Sequence, residues 1–210
     1  MTARLLYVMD PMCSWCWGFA PVAQALIGQA QAAGVATRLV VGGLRSASSA
    51  LDASTRRHIL EHWRAVAETT GQPFCFDGAL PDGFVYDTEP ACRALVTARE
   101  LDAERVWPLL GLIQQGFYQQ GLDVTRVPRL VELAEQAGLP RAAFCEAFAS
   151  SQTGAATAAD FSWAQDLGIA GFPTLLAERN GQLALLTNGF QPVERLQPLL
   201  ERWLQQAACA

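Results

Sequence analysis

The sequence predicts an α/β protein in which a long all-helical segment is inserted between the second and third strands of one sheet. Strand patterns occur only near the two ends of the chain, and the stretch between them carries helix signals almost exclusively. Neither strand-bearing part has enough strands to close a sheet by itself, so the two parts must come together. The late return of the strand pattern therefore identifies the helical segment as an insertion.

The first elements follow the order strand, helix, strand. Residues 5–9 form a short continuous apolar run, as expected for a strand that is buried on both faces. The stretch 22–33 is rich in Ala, Leu and Gln, which favours a helix, and Gly34 supplies its stop signal. Residues 37–41 then form the second predicted strand.

The middle of the chain carries helix signals in place of strand signals. Gly42 and Gly43 close the second strand, and a small polar stretch follows. The first helix predicted here has its cap at Ser54 or Thr55 and runs to Glu68, and the next begins after a cap at Thr88. Further helices are predicted over residues 103–120, over residues 127–137 and after Pro140.

Strand signals return near the C-terminus. Residues 161–167 continue a helix, and the apolar run 175–177 follows it as a strand. Asn180-Gly181 is a strong hairpin signal, and residues 183–186 form the returning strand. Pro192 then starts a last helix with apolar residues at helical spacing.

Length, composition and charge exclude several classes of protein. The chain of 210 residues is 51% hydrophobic, which is enough to bury a substantial core. Its formal net charge of -5 argues against a nucleic-acid partner, because such a partner normally binds a basic face. No apolar run could span a bilayer, and Asp10 and Pro11 follow the N-terminus too closely for a secretory signal. We therefore expect a cytoplasmic protein with no membrane association, unless a signal peptide has been removed.

Two cysteines at the first strand-to-helix turn are the strongest functional signal. Cys13 and Cys16 form a Cys-Ser-Trp-Cys motif, and two thiols at this spacing can open and close a disulfide. Backbone N–H groups and the positive end of the helix dipole stabilise a thiolate at a helix start, so Cys13 is the predicted attacking sulfur. Cys16 lies one helical turn further on, where its sulfur can displace a partner bound to Cys13.

Asp10 lies close to the same helix start. Its carboxylate either competes for the helix dipole and repels a thiolate, or it only caps the helix. Both interpretations stay open at this point.

The other four cysteines are not spaced as closely as Cys13 and Cys16. Six cysteines in all are too few for a scaffold held together by disulfides. We expect Cys92 and Cys145, both within apolar helical patterns, to pack in the core. Cys75 is expected to behave similarly, and Cys209 to be an exposed bystander at the chain end.

His58 and His62 raise the question of a metal site. They are the only two histidines, and they stand at i, i+4 on a predicted helix, where both rings could join two thiolates around zinc. The surrounding charged residues indicate a solvated helix face, and the His-Glu-x-x-His pattern of metalloproteases is absent from the sequence. We therefore expect no metal site and keep zinc binding as a less favoured alternative.

Three features of the chain resemble thioredoxin-fold proteins of the DsbA family, which carry a helical domain inserted into a thioredoxin core. Cys13 and Cys16 stand at the start of the first helix, and Pro21 lies where this fold commonly kinks that helix. Residues 171–174, Gly-Phe-Pro-Thr, precede the late strand in the manner of the family's cis-proline loop. The run 10–19 is most similar to the cytoplasmic FrnE-like branch, described as predicted protein-disulfide isomerases. The resemblance spans essentially the whole chain.

The resemblance implies a thioredoxin-like fold with two domains. Residues 1–45 and 152–210 would form the thioredoxin-like domain, and residues 46–151 the helical insertion domain. The insertion would lie between the second and third strands of the core sheet.

The resemblance also implies which residues bind substrate. In this family the backbone of the residue before the cis proline pairs with an extended substrate, which assigns Phe172, Pro173 and Thr174 to substrate binding. From the residues alone, Pro173 could equally be a trans proline that opens a strand. We expect Trp15 to contact substrate and Trp17 to pack against the insertion.

We expect a thiol-disulfide oxidoreductase, either a reductase or an isomerase, that acts on protein, peptide or small-molecule disulfides through Cys13 and Cys16. No cofactor is expected, and glutathione is the candidate co-substrate. Ser14 and Trp15 stand where the strongly oxidising members of the family have Pro-His. The extreme reduction potential of those members should therefore not be assumed for this chain. The alternative is a glutathione-dependent transferase or isomerase of the kappa type, although those enzymes typically place serine at the position of Cys13. A pure adaptor role is a further alternative.

Overall fold

The computed structural model describes residues 3–208, and this part of the chain contains four strands and eight α-helices. A single 3-10 turn, Ala103–Arg105, precedes the fourth helix. The strands are β1 (Ala3–Met9), β2 (Ala36–Val41), β3 (Thr174–Arg179) and β4 (Gln182–Asn188). The helices are α1 (Ser14–Ala32), α2 (Ala53–Thr70), α3 (Glu89–Leu101), α4 (Val106–Gln120), α5 (Val127–Gln136), α6 (Arg141–Ala149), α7 (Ser151–Asp166) and α8 (Val193–Ala208).

The four strands form one sheet in the order β2-β1-β3-β4. Strand β1 runs parallel to β2 and antiparallel to β3, and β3 pairs antiparallel with β4. In this register Tyr7 stands opposite Leu39 on one side and Leu175 on the other. The two ends of the chain therefore meet in a single sheet, as the strand pattern predicts, and the α/β class with an inserted helical segment is confirmed.

Strand β1 is buried on both faces of the sheet. Leu5, Tyr7 and Met9 face the large core, to which α1 and α8 also contribute. Leu6 and Val8 face a smaller cluster on the opposite side, where α7 covers the sheet. The continuous apolar run is therefore explained by helices on both sides of a central strand.

Trp17 of the dithiol-bearing helix α1 packs against the inserted segment, at the stretch after α2 and at α4. Its indole Nε1 donates to the Pro73 carbonyl at 3.0 Å, and the Gln72 amide donates to the Trp17 carbonyl at 3.0 Å. The Trp17 ring stacks on Tyr118 of α4 with centroids 6.0 Å apart. Trp17 thus packs against the insertion, as expected. The division into residues 1–45 with 152–210 and 46–151 stays a prediction.

Two helix caps differ from expectation. Asp52 caps α2 by accepting a hydrogen bond from the Thr55 backbone N–H at 2.8 Å, so neither Ser54 nor Thr55 is the cap. A carboxylate next to the helix start is the stronger acceptor for these free N–H groups. Thr88 precedes α3 but makes no capping bond: its hydroxyl donates to Asp10, and its oxygen accepts from the Arg45 backbone N–H at 3.3 Å.

Among the described helices, none combines the length and the apolar character that a membrane-crossing segment needs.

Candidate active site

The dithiol stands at the start of α1. Strand β1 ends at Met9, a short turn follows in which the Cys13 backbone N–H donates to the Asp10 carbonyl at 3.1 Å, and the helix begins at Ser14. Cys13 is therefore the N-cap residue, yet its side chain makes no capping bond. Its sulfur is left free to react beside the unpaired N–H groups of the first helical turn.

The two sulfurs have different surroundings. Both thiols are free; Cys13 is 6% exposed and Cys16 is fully buried. Burial, followed by the hydrogen bond and charge of Cys13, raises the pKa of Cys16. Cys16 is thereby kept protonated until a reaction at Cys13 changes its surroundings.

The loop before β3 lies against Cys13. The Phe172–Pro173 peptide bond is cis, and the Cys13 thiol points at the Phe172 carbonyl oxygen at 3.7 Å. Thr174 is buried, and its hydroxyl lies 2.8 Å from the Gly171 carbonyl and 3.1 Å from Asn188 Oδ1. The Thr174 side chain thus shapes the loop from within, and the backbone of Phe172 is the part that faces the dithiol.

The ring of Phe172 rests on a glycine that the sequence reasoning treated only as a strand stop. A Cβ atom at Gly42 would lie 2.0 Å from the Phe172 ring, a distance that no real contact allows. The ring therefore packs on bare backbone, and only glycine leaves room for it. Because contact between residues 42 and 172 arises from the fold, no local pattern in the sequence signals it.

Asp10 is fully buried and organises the loops around the dithiol. Its Oδ1 accepts from the Met12 backbone N–H at 2.8 Å; its Oδ2 accepts from the Leu44 N–H at 2.7 Å and the Thr88 hydroxyl at 2.7 Å. The Cys92 thiol donates to the same Oδ2 at 3.3 Å. The capping interpretation of Asp10 is therefore wrong, because its oxygens are used by three segments of the chain instead.

The environment of Asp10 changes its titration. Burial raises the pKa of Asp10, and the hydrogen bonds from Thr88, Leu44 and Met12 oppose that rise. The charge of Asp10 also contributes to the raised pKa of Cys16.

Cys13 opens on a cleft of about 310 Å³ between its own loop, the Phe172 loop and α2. Trp15 lines this cleft, with its ring edge-on to His62 at 5.9 Å. Burial and then the charge of His58 lower the pKa of His62. Arg45, His58, His62 and Tyr86 are among the residues that line the cleft but were not predicted as site residues from the sequence.

Tyr86 and Arg45 are attached to the dithiol loop. The Tyr86 hydroxyl donates to the Met12 carbonyl at 2.6 Å, and the Arg45 guanidinium lies 5.2 Å from the centre of the Tyr86 ring. The cleft beside Cys13 therefore carries one permanent positive charge and two imidazoles. The i, i+4 spacing of the histidines singled them out in the sequence, but nothing in the sequence signalled Arg45 or Tyr86.

The two histidines form no metal site in this geometry. Within residues 3–208, no group of three or more His, Cys, Asp or Glu side chains is placed to hold a metal ion.

The other cysteines differ in how far they are buried. Cys92 is buried as expected, with Asp10 as its partner. Cys145 is exposed, so the expectation of core packing is wrong: α6 turns Phe144 and Phe148 inward and leaves Cys145 on its outer face. Cys75 is half-buried. Cys209 lies outside the described residues.

Residues 4–201 match one protein family, described as the DSBA-like thioredoxin domain. A comparison with curated proteins gave no match.

Solved structures resemble the chain over nearly its whole length. A protein from Nitrosomonas europaea, provisionally named a protein disulfide isomerase, is 41% identical, with a TM-score of 0.91 over 98% of this chain and 99% of that one. The cytosolic disulfide reductase DsbM from Pseudomonas aeruginosa is 31% identical, with a TM-score of 0.81 over 97% of this chain and 99% of that one. A second DsbM structure contains glutathione.

A 2-hydroxychromene-2-carboxylate isomerase has a TM-score of 0.63 over 98% of both chains. It is only 14% identical, so this similarity concerns the fold alone.

Proposed function

Because the chain belongs to the DSBA-like thioredoxin domain family and is a thiol-disulfide oxidoreductase, we propose that it works as a disulfide reductase or isomerase that uses glutathione as its reducing co-substrate. The observation that carries the proposal is the asymmetry of the dithiol: Cys13 lines an open cleft, and Cys16 is buried behind it. Such a pair is suited to capture a substrate on the outer sulfur and release it from within.

The proposed reaction begins with attack of the Cys13 thiolate on a substrate disulfide. One S–S bond breaks, a mixed disulfide forms on Cys13, and the departing thiolate takes up a proton. Cys16 then loses its proton and attacks the Cys13 sulfur, which releases the second substrate thiol and leaves a Cys13–Cys16 disulfide. The substrate gains two electrons from the dithiol, so no metal or resident cofactor is required.

The substrate backbone is proposed to bind at the Phe172 loop. The main chain of Phe172 faces Cys13 across 3.7 Å, and an extended peptide could pair with it by strand addition. Trp15 would add an apolar contact at the cleft wall, where it is only half-buried. Pro173 and Thr174 would act by holding this backbone in place.

Glutathione suits the cleft by charge. Its two carboxylates make it anionic, and Arg45, His58 and His62 line the cleft into which Cys13 opens. The structure of DsbM, which is similar over nearly all of the chain, has been solved with glutathione. Two glutathione molecules would return the Cys13–Cys16 disulfide to the dithiol and leave as one glutathione disulfide.

A cytoplasmic location is proposed from the same relative, which is named as cytosolic. A reducing compartment favours reduction and isomerisation over net oxidation.

The proposal is tested with Cys16→Ala, which removes the resolving sulfur. Mixed disulfides on Cys13 then cannot be released internally and should accumulate in cells. Intact-mass and peptide mass spectrometry identify what Cys13 has captured. We expect glutathione together with protein or peptide cysteines.

Two controls sharpen this test. Cys13→Ala should capture nothing, and Cys145→Ala should behave like the unmodified protein, because Cys145 is exposed but lies outside the site. Capture of glutathione alone would rule out a protein substrate. Equal trapping by Cys13→Ala would contradict the proposed roles of the two sulfurs.

A further inference from the structure

A groove of about 610 Å³ lies between α1 and α4, and it shares no residue with the cleft at Cys13. Helix α1 packs on α2 and α8, and α4 packs on α3 and α5, so the facing sides of α1 and α4 are free to line an open space. This volume is in the range that binds small organic molecules.

The walls of the groove carry no charged side chain. Tyr7, Ile27 and Leu110 are buried at its floor. The Trp107 ring lies 6.2 Å from Tyr7 at an interplanar angle of only 21°. The partly exposed Trp107 ring and the neutral walls suit a flat, uncharged molecule and disfavour an anion such as glutathione.

One polar group in the groove is left without a partner. Gln114 lines the groove, is only 2% exposed, and its Nε2 makes no hydrogen bond. Buried amide donors are normally paired, because an unpaired one loses its bonds to water without replacement. The unpaired Gln114 amide therefore points to a ligand atom that accepts a hydrogen bond.

Two glycines keep the groove open. Gly28 of α1 and Gly111 of α4 both line it, and a Cβ atom at either position would meet no atom within 4 Å. Glycine in the interior of a helix is unfavourable compared with almost any other residue. The fold therefore keeps this space empty at two positions where a side chain would favour the helix.

We propose that this groove binds a neutral, flat, mainly apolar small molecule whose carbonyl or similar oxygen accepts a hydrogen bond from Gln114. The bound molecule would lie against Trp107, whose ring stacks on the buried Tyr7. This site is separate from the disulfide reaction and does not depend on which disulfide the protein reduces.

The probe for this site is prodan, a neutral naphthalene with one carbonyl group whose fluorescence shifts to the blue in apolar surroundings. The unmodified protein should bind prodan with a blue shift and with energy transfer from tryptophan. Gly111→Leu directs a side chain into the groove from a position where a Cβ atom meets nothing within 4 Å, and it should weaken prodan binding at least about tenfold.

Gly154→Leu is the matched control. Gly154 also lies within a helix, α7, and its Cβ would meet nothing within 4 Å, but it does not line the groove. This variant should bind prodan like the unmodified protein. Disulfide turnover and circular dichroism, measured on all variants, show whether each one is folded and keeps its separate redox reaction.

The hydrogen bond is tested by competition between two displacing compounds. In the unmodified protein, 2-acetylnaphthalene should displace prodan better than 2-ethylnaphthalene, which lacks the oxygen. Gln114→Leu should reduce this preference by about fivefold, since one neutral hydrogen bond is lost.

Three outcomes would overturn the proposal. Prodan does not bind; prodan binds equally to the unmodified protein and to Gly111→Leu; or light scattering gives a dimer that Gly111→Leu turns into a monomer. The last result would mean that a second copy of the chain covers the groove.

Discussion

Cys13 and Cys16 are three residues apart, yet their surroundings give them different chemistry. Cys13 lines the cleft and faces the Phe172 carbonyl, whereas Cys16 is fully buried with a raised pKa. The same short motif therefore supplies one sulfur at the cleft wall and one that is fully buried. The difference comes from the helix, which turns the second cysteine toward the core.

Gly42 supports the site through the space it leaves. Gly42→Ala places a methyl group about where the Phe172 ring now lies, so the ring and its backbone must move away from Cys13. We expect a loss of about 1–3 kcal/mol in unfolding free energy and a higher KM for disulfide substrates. Denaturant unfolding and steady-state turnover measure the two effects.

Gly111→Ala is the control for this change. A methyl group there meets open space within a helix, so the protein should gain up to about 1 kcal/mol. Equal effects of the two substitutions would contradict the role given to Gly42.

Asp10 is the second residue with a specific task. Its Oδ2 accepts bonds from Leu44, Thr88 and Cys92. In Asp10→Asn an amide N–H group has to face at least one of the donors around the carboxylate. We expect a loss of about 1.5–3 kcal/mol at neutral pH, whereas Asp166→Asn, at an exposed position, should change stability by less than about 0.5 kcal/mol.

The pH dependence of this loss follows from the raised pKa of Asp10. When folding raises the pKa of a group, that group stabilises the folded protein fully at pH values below its pKa in the unfolded chain. This stabilisation is lost as pH rises through its pKa in the folded protein. The advantage of the unmodified protein over Asp10→Asn should therefore shrink as pH rises above about 4. An advantage that grows with pH over this range would contradict the assignment.

At the scale of elements, α2 supplies one wall of the cleft. It places His58 and His62 on the side that faces Cys13, with His62 against Trp15. The i, i+4 spacing that raised the question of zinc instead puts two titratable rings beside the dithiol. The function of this helix follows from where the insertion packs, because α2 contacts α1 directly.

His62 makes the cleft sensitive to acid. Its pKa is lowered by burial and by His58, so it gains a charge only at a more acidic pH than an ordinary histidine. In a Cys13→Ser/Cys16→Ser protein, which cannot react, oxidised glutathione should bind a few-fold more tightly at about pH 5 than at about pH 7. His62→Gln should reduce this pH dependence, as measured by calorimetry. If the affinity for oxidised glutathione changed equally with pH with and without His62→Gln, His62 would not face the ligand.

At the scale of the whole molecule, one ion pair joins the insertion to the sheet. Arg99 of α3 donates to Asp160 of α7 at 2.6 and 3.2 Å and to the Leu39 carbonyl of β2 at 2.8 Å. Asp160 also accepts from the Val41 backbone N–H at 3.1 Å. The pair therefore connects three elements that are distant in sequence.

Removal of Arg99 should be costly because Asp160 is only 7% exposed. Arg99→Met leaves this carboxylate with the more distant Arg38 as its remaining charged partner, and we expect a loss of about 3 kcal/mol. Arg141→Met, which breaks the exposed pair with Glu135, should cost less than about 1 kcal/mol. Urea unfolding of both variants distinguishes the two cases, and equal losses would mean that the Arg99 pair behaves as a surface contact.

Local patterns in the sequence predicted the elements that depend on neighbouring residues. The apolar run of β1, the hairpin at Asn180-Gly181 and the dithiol at the start of α1 each involve residues close together in the chain. The insertion followed from the order of these patterns. Cys145 shows the limit of the same reasoning, since an apolar helical pattern does not say which face of a short helix is buried.

The sequence by itself determined the order of strands and helices and the position of the two thiols, because propensity, turn chemistry and helix dipoles act over a few residues. Only the tertiary structure decided what surrounds them. The donors on Asp10, the ring over Gly42 and the unpaired amide of Gln114 come from segments that meet by packing. These contacts depend on how whole helices pack against the sheet, and no short stretch of sequence predicts them.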